Sequence, residues 1–178
     1  MKKIVVGLVL ALLLVGAMTA SAESSVFAVY NKPGHLNAYG SVGFYGFWGL
    51  EATVGAEMII GKFDLGPVPL QWGVMARGLL AFPFFLGSGW LDWGAAPLVS
   101  LHTGFNFGKS LEFDVYIALG LGLYGTTGTY YSTWNPINVG FASFDGVAWK
   151  LSDKWFLLGE YGYVGSTAVY GIGVEMKL

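Results

Sequence analysis

The sequence predicts an all-β chain, an eight-stranded antiparallel up-and-down transmembrane β-barrel, and three observations carry that prediction. The first is alternation. From Thr167 to Leu178 the even positions are Ala168, Tyr170, Ile172, Val174, Met176 and Leu178, all apolar or aromatic. The odd positions are Thr167, Val169, Gly171, Gly173, Glu175 and Lys177, mostly small or charged. Successive side chains of a strand point to opposite faces, so this segment has one greasy face and one small or polar face. The second is composition: the chain is 54% hydrophobic and 17% aromatic but only 11% charged. Ordinary soluble domains carry ~25% charged residues, so this chain has too few to clothe a globular surface. The third is that no apolar run after residue 22 approaches the ~20 residues of a membrane helix. The final strand is expected to be paired on both sides, because an open edge invites aggregation, and barrel closure supplies that pairing.

The first 22 residues read as a signal peptide. Lys2-Lys3 gives a positive start, Ile4 to Ala17 an apolar core, and Ala20-Ser21-Ala22 a small-x-small cleavage pattern, which predicts export and a mature chain from Glu23. There is no cysteine, so disulfides, thiolate metal sites and a lipidated N-terminus are excluded. Setting Lys2 and Lys3 aside leaves seven basic and eleven acidic residues, a net charge of −4. No basic patch exists, which excludes a nucleic-acid footprint.

Residues 23–35, with the turn Lys32-Pro33-Gly34, read as an N-terminal extension, and the barrel is expected over 36–178. The eight alternating segments run about Leu36–Gly46, Leu50–Phe63, Val68–Phe82, Leu91–Phe107, Leu111–Tyr124, Val139–Leu151, Trp155–Val164 and from Thr167 to the end. The fifth is the cleanest: Leu111, Phe113, Val115, Ile117, Leu119, Leu121 and Leu123 alternate without exception with Glu112, Asp114, Tyr116, Ala118, Gly120, Gly122 and Tyr124. Turns are expected at Asp64–Pro67, Gly108–Ser110 and Ser152–Lys154, where Gly, Pro, Ser and Asp concentrate. Two residues break the pattern. Pro97 lies mid-strand, where it has no N–H for the ladder, and Asp145 falls on the apolar face; a β-bulge near each is expected to restore the register.

Alternation alone does not say which face meets water. A soluble, lipocalin-like barrel would bury the apolar face around a ligand, and a membrane barrel would turn it outward. The other face is largely Gly, Ala, Ser and Tyr with scattered charges, which suits a narrow interior. Aromatic residues also gather in two belts: Trp72, Phe105, Phe107, Phe113, Trp149 and Trp155 beside the tight turns, and Phe82, Trp90 and Trp93 at the opposite end. Such belts mark the two interfaces of a bilayer-spanning barrel.

With strands and belts placed, the chain resembles the small eight-stranded outer-membrane barrels, the group containing the OmpA transmembrane domain and the OmpX/Ail proteins. The resemblance covers roughly residues 36–178. It is carried by Gly146-Val-Ala-Trp-Lys-Leu-Ser-Asp-Lys-Trp-Phe-Leu-Leu-Gly-Glu-Tyr-Gly-Tyr163, a strand, a short polar turn and a strand ending in Glu-Tyr-x-Tyr. The end Gly173-Val-Glu-Met-Lys-Leu178 is similar to the family's C-terminal signal for the barrel-assembly machinery, with Leu178 in place of the usual Phe. The resemblance implies a bacterial outer-membrane location, outer-membrane lipid as surroundings, short turns and termini in the periplasm, and a monomer.

Three sets of residues are candidates for chemistry. Inward positions give an interior polar network of Glu51, Glu57, Arg77, Asp92, His102, Glu112, Asp114, Lys150, Glu160, Glu175 and Lys177. It reads either as a gate on a narrow pore, which the resemblance also suggests, or as a paired filling of an interior with little spare room. Ser100 and His102, with Asp92 on the same strand, form a hydrolase reading of the Ser-His-acid type, but residues at i and i+2 lie side by side, and Asp92 is far along the strand. Tyr130, Tyr131 and Trp134, in the long loop from Gly125 to Asn138, are candidates for surface contacts to a partner, glycan or lipid headgroup, or for an interfacial rim. His35 reads as a solvated turn residue. Two separate histidines give no metal site, and no cofactor is expected. The expectation is a non-enzymatic structural or adhesin-like barrel. A lipid-modifying enzyme, a narrow pore and a soluble binder of apolar ligands are the alternatives.

Overall fold

The computed structural model describes residues 26–44, 49–83, 90–108, 111–128 and 137–178. The signal peptide expected over residues 1–22 and the loop residues Tyr130, Tyr131 and Trp134 lie outside the described residues. A two-residue strand, β1 (Phe27–Ala28), precedes eight long ones: β2 (Leu36–Phe44), β3 (Gly49–Leu65), β4 (Val68–Pro83), β5 (Trp90–Asn106), β6 (Glu112–Gly128), β7 (Asn138–Lys150), β8 (Trp155–Val164) and β9 (Thr167–Lys177). Each of β2 to β9 pairs antiparallel with its neighbours in sequence, and β9 pairs back onto β2 from Asn37↔Lys177 to Phe44↔Tyr170. The eight strands therefore close into an up-and-down barrel. Closure removes both edges, which is what lets strands carry apolar outer faces without pairing to another chain.

The faces are inside out relative to a soluble barrel. Val54 is 66% exposed, Leu121 61% and Ile172 69%, all on the outside of the wall, whereas Phe144 and Leu158 are 0% exposed in the lumen. Most large aliphatic side chains on the outer face of β2 to β9 are exposed in this way. In water each would forgo about 1.5–3 kcal/mol of burial. The arrangement is that of a transmembrane barrel, and among the described residues no helix is long and apolar enough to cross a membrane.

The register corrects two expectations. No bulge occurs at Pro97: β4 and β5 stay in register through Ala76↔Pro97. On its other side the ladder is interrupted, with Ala96, Pro97, Leu121 and Gly122 missing from the β5–β6 partners and pairing resuming at Leu98↔Gly120. Proline has no N–H to give there, and losing a pair from each strand leaves the phase intact. No bulge occurs at Asp145 either, which is in register with Ile117 on one side and Tyr161 on the other. It stays on the outer face, half-buried, with Ser143 Oγ 3.4 Å from its Oδ1. Among the described residues the register shift lies in β3, between Ile59 and Gly61, where no sequence signal marked it.

One end of the barrel holds the short turns, with Gly66 (φ 60°) and Gly108 (φ 111°) in the left-handed region that glycine tolerates. This turn end also holds both described chain ends. The opposite, loop end joins β8 to β9 through the two-residue turn at Gly165 (φ 61°) and holds the remaining connections. At the turn end Asn106 is exposed, its Oδ1 accepting from Gly108 N–H at 2.9 Å. Phe105, on the outer face, is 8% exposed because Phe27 of β1 covers it at 5.5 Å between ring centroids.

Candidate functional site

The lumen is filled in three tiers. At the loop end the packing is mainly apolar: Leu79 on β4, Ala96 on β5, and Val164 and Val169 on β8 and β9 pack together. Opposite walls touch there. A Cβ added to Gly94 would lie 2.9 Å from Val164 Cβ, and one on Gly122 2.6 Å from Val164 Cγ1. Glycine on β5 and β6 is what permits the approach. Glu51 and Asp92 are buried at this end, Asp92 accepting from Thr126 Oγ1.

The middle tier is built around a buried ion pair. Arg77 reaches from β4 to Glu160 on β8, and both side chains are fully buried. Glu160 Oε1 accepts from Ser41 Oγ at 2.9 Å and Thr53 Oγ1 at 2.7 Å, and Oε2 accepts from Tyr116 Oη at 2.7 Å. The guanidinium lies 4.7 Å from the Tyr39 ring centre and 5.0 Å from that of Phe144. Its Nε and Nη1 have no hydrogen-bond partner among the described residues, so the ring faces are their surroundings.

The lower tier is a hydrogen-bonded chain centred on His102. Its Nε2 is 2.8 Å from Glu57 Oε1 and its Nδ1 2.8 Å from Asp114 Oδ2, so each ring nitrogen faces a carboxylate. Tyr116 stacks on the imidazole at 5.4 Å. Ser100 Oγ and Tyr39 Oη both donate to Glu57. Three strands, β3, β5 and β6, supply Glu57, His102 and Asp114. His102 and Asp114 stand on neighbouring strands, and Glu57 reaches β5 across β4 at Gly73, where a Cβ would lie 2.9 Å from Glu57 Oε1 and 3.0 Å from Ser100 Oγ.

The segment before β2 enters this tier. β1 pairs with β5 at Phe27↔Phe105 and Ala28↔Gly104, on the stretch that β4 leaves free below Gln71↔His102. The chain then crosses the lumen. Tyr30 Oη donates to the Phe105 carbonyl at 2.9 Å, and Lys177 Nζ, from β9 on the far wall, donates to the Tyr30 carbonyl at 2.8 Å. Asn31 is fully buried; its Nδ2 donates to Asp114 Oδ2 at 2.8 Å and its Oδ1 accepts from Asn37 Nδ2 at 3.1 Å. Lys32-Pro33-Gly34 then turns the chain into β2, with Gly34 at φ 89° and its N–H on the Ile59 carbonyl at 2.8 Å. The β3 register shift falls at the same place.

Of the residues singled out in the sequence, the structure brings Glu57, His102, Asp114, Arg77 and Glu160 together through shared partners. Glu175 and Lys177 border the lower tier, and neither Glu175 oxygen has a hydrogen-bond partner among the described residues. Glu112 and Lys150 stand apart, paired at 3.2 Å at the turn-end rim, where Lys150 also meets Asp153 at 3.3 Å. Ser100 does not face His102 as a nucleophile would, since its hydroxyl is engaged by Glu57, and Asp92 is at the other end of the lumen. Sequence reasoning missed Tyr30, Asn31 and Tyr39. Only Tyr39 carried a usable signal, its place in phase with Asn37 and Ser41.

A closed eight-stranded antiparallel wall with an apolar outside and a filled lumen is the architecture of the small transmembrane barrels. No protein-family model and no curated protein matches the sequence. Among solved structures, the chain is similar to Neisserial surface protein A, at 12% identity over 81% of this chain and 95% of that one, with a TM-score of 0.46. It is similar to Ail, the attachment invasion locus protein of Yersinia pestis, at 12% identity over 81% and 97%, with a TM-score of 0.43. A de novo designed transmembrane β-barrel aligns at 17% identity over 83% and 98%, with a TM-score of 0.47. These likenesses concern the barrel alone.

Proposed function

We propose that this chain is an integral protein of a bacterial outer membrane, exported by its signal peptide, that works as a closed, rigid scaffold presenting its loop end for surface contacts. The observation that carries this reading is the pairing of a continuous exposed apolar outer face with a lumen filled from end to end by buried side chains. The outer face calls for lipid. The filled lumen argues against an open channel, because an eight-stranded wall leaves room for little beyond its own side chains. It also argues against catalysis inside the barrel, where Ser100, His102 and the carboxylates are engaged with one another and sealed from solvent. The short turns then face the periplasm. β9, which closes the wall against β2 and ends beside the exposed Leu178, is the element offered to the barrel-assembly machinery, and the protein is a monomer. The loop carrying Tyr130, Tyr131 and Trp134 is the candidate contact surface.

The test is refolding of residues 23–178 from urea, followed by far-ultraviolet circular dichroism with and without detergent, then bilayer conductance. The expected result is a β spectrum only with detergent and no stable conductance. A folded, monodisperse protein in plain buffer would overturn the membrane reading, and steady single-channel currents would overturn the closed scaffold. Replacing Tyr130, Tyr131 and Trp134 with serine is expected to leave folding intact and to weaken adhesion of cells displaying the protein to glycan-coated or protein-coated surfaces. Unchanged adhesion would remove that loop from the proposal.

A further inference from the structure

We infer that residues 26–35 form a displaceable plug that seals a cation-accepting vestibule at the turn end of the lumen. The wall does not need this segment to close, because β2 and β9 pair directly over eight consecutive partners. Along β5 the segment contributes two ladder pairs and accepts Asn106 N–H at the Val26 carbonyl, and at its other end Gly34 N–H and the His35 carbonyl bond Ile59 of β3. Inside the lumen its polar anchors are an amide, a phenol and backbone carbonyls: Asn31 on Asp114 and Asn37, Tyr30 Oη on the Phe105 carbonyl, and Lys177 on the Tyr30 carbonyl, with the Tyr30 ring set edge-on to Phe156 at 5.9 Å. None of these is an ion pair, and water can replace each hydrogen bond once the segment lifts.

What the plug covers has a definite chemistry. Above Tyr30 and Asn31 lie Glu57, Asp114 and Glu175 against His102 and Lys177. At this level of the lumen both Glu175 oxygens, Asp114 Oδ1, Asn37 Oδ1 and Gln71 Oε1 lack hydrogen-bond partners among the described residues and all are acceptors, whereas the unpartnered donors, Arg77 Nε and Nη1, belong to the tier above. A compartment with surplus acceptor oxygens receives water and small cations in preference to anions. The vestibule ends at the Arg77–Glu160 tier, which the plug does not touch. The plug is therefore one of two barriers in series, and its release alone opens the vestibule without opening a through-pore.

The natural absence of cysteine makes the test direct. Ala148→Cys places a thiol on a fully buried lumen position paired with Asp114. In the folded full-length chain, a trimethylammonium methanethiosulfonate should modify this thiol slowly. Adding Tyr30→Ala and Asn31→Ala, or deleting residues 26–33, should speed the reaction by more than about ten-fold. The anionic sulfonate analogue should remain slower than the cationic reagent, and bilayer conductance should stay at baseline. Equal labelling rates with and without the anchors would overturn the plug. So would failure of both altered chains to fold, since the segment would then be part of the fold itself. Faster labelling by the anionic reagent would overturn the cation-accepting vestibule.

Discussion

The two ends of the lumen are filled by opposite means. At the loop end, Leu79, Ala96, Val164 and Val169 meet across glycines, and closure is a matter of shape. At the turn end, Asn31, Asn37, Glu57, His102 and Asp114 meet through hydrogen bonds, and closure depends on pairing. An apolar tier loses stability in proportion to the volume removed. A polar tier loses most when one partner goes and the other is left buried. The Arg77–Glu160 pair sits between them, held by hydroxyls on one side and aromatic faces on the other. The segment that can leave enters on the polar side.

The largest expected effect tests the pairing half of that contrast. Arg77→Ala leaves Glu160 buried without its cation and should cost about 3–5 kcal/mol, read as a lowered urea midpoint in detergent. The double replacement Arg77→Met with Glu160→Met should recover most of that loss, because no charge is then left alone. A double variant as unstable as Arg77→Ala would mean that the pair is not acting as a unit. Next comes Leu79→Ala at the loop end. It should cost about 2–4 kcal/mol through the cavity it leaves, with no rescue from any change at Glu160. Additive losses from Leu79→Ala and Arg77→Ala would show that the tiers are independent. A strong departure from additivity would merge them.

Asp145 predicts a change of the opposite sign. It faces outward among Ile117, Tyr161 and Ser143, where hydrocarbon is expected, so Asp145→Val should stabilise the barrel in lipid vesicles by about 1–2 kcal/mol. A loss of stability would show that this carboxylate has a partner in the membrane. The smallest effect belongs to His35, in the turn that leads the plug into β2. Burial, with Lys177 and Lys32 nearby, holds its imidazole below the ordinary 6.5. The folded state thus favours the neutral ring, whose Nδ1 accepts from Lys32 N–H at 3.4 Å. That contribution is present above the ordinary value and is lost as pH falls through the lowered one. His35→Gln should therefore flatten the decline in stability on the acid side of about pH 6.5, and an unchanged slope would remove His35 from the turn's energetics.

The barrel itself was legible because alternation is a local property. The seven consecutive pairs of β6 and the even–odd split of β9 each announce two faces without reference to any other strand. Which inward residues would touch was not legible, because contact depends on the register between strands. Glu57, His102 and Asp114 stand on three strands, and nothing in their own neighbourhoods states that β3, β5 and β6 align them. Pro97 and Asp145 misled for a related reason. Each breaks a local rule, and a bulge is the local remedy, whereas the wall tolerates one as an interrupted ladder and the other as an outward carboxylate. The plug was the least visible element. Residues 26–35 have no period, and Tyr30 and Asn31 look like ordinary loop residues until the lumen closes around them.

The apolar face should meet lipid, and the tryptophans on it offer the most direct measurement. Trp72, Trp149 and Trp155 lie on the outer face at the turn-end belt and are 37%, 42% and 46% exposed. Tryptophan emission would be compared after folding into vesicles of brominated phosphatidylcholine and into vesicles of the same lipid without bromine. Strong quenching in the brominated vesicles is the predicted result, because these indoles would touch acyl chains. Equal emission in the two would contradict the account, and the apolar face would then have to be covered by something other than a bilayer.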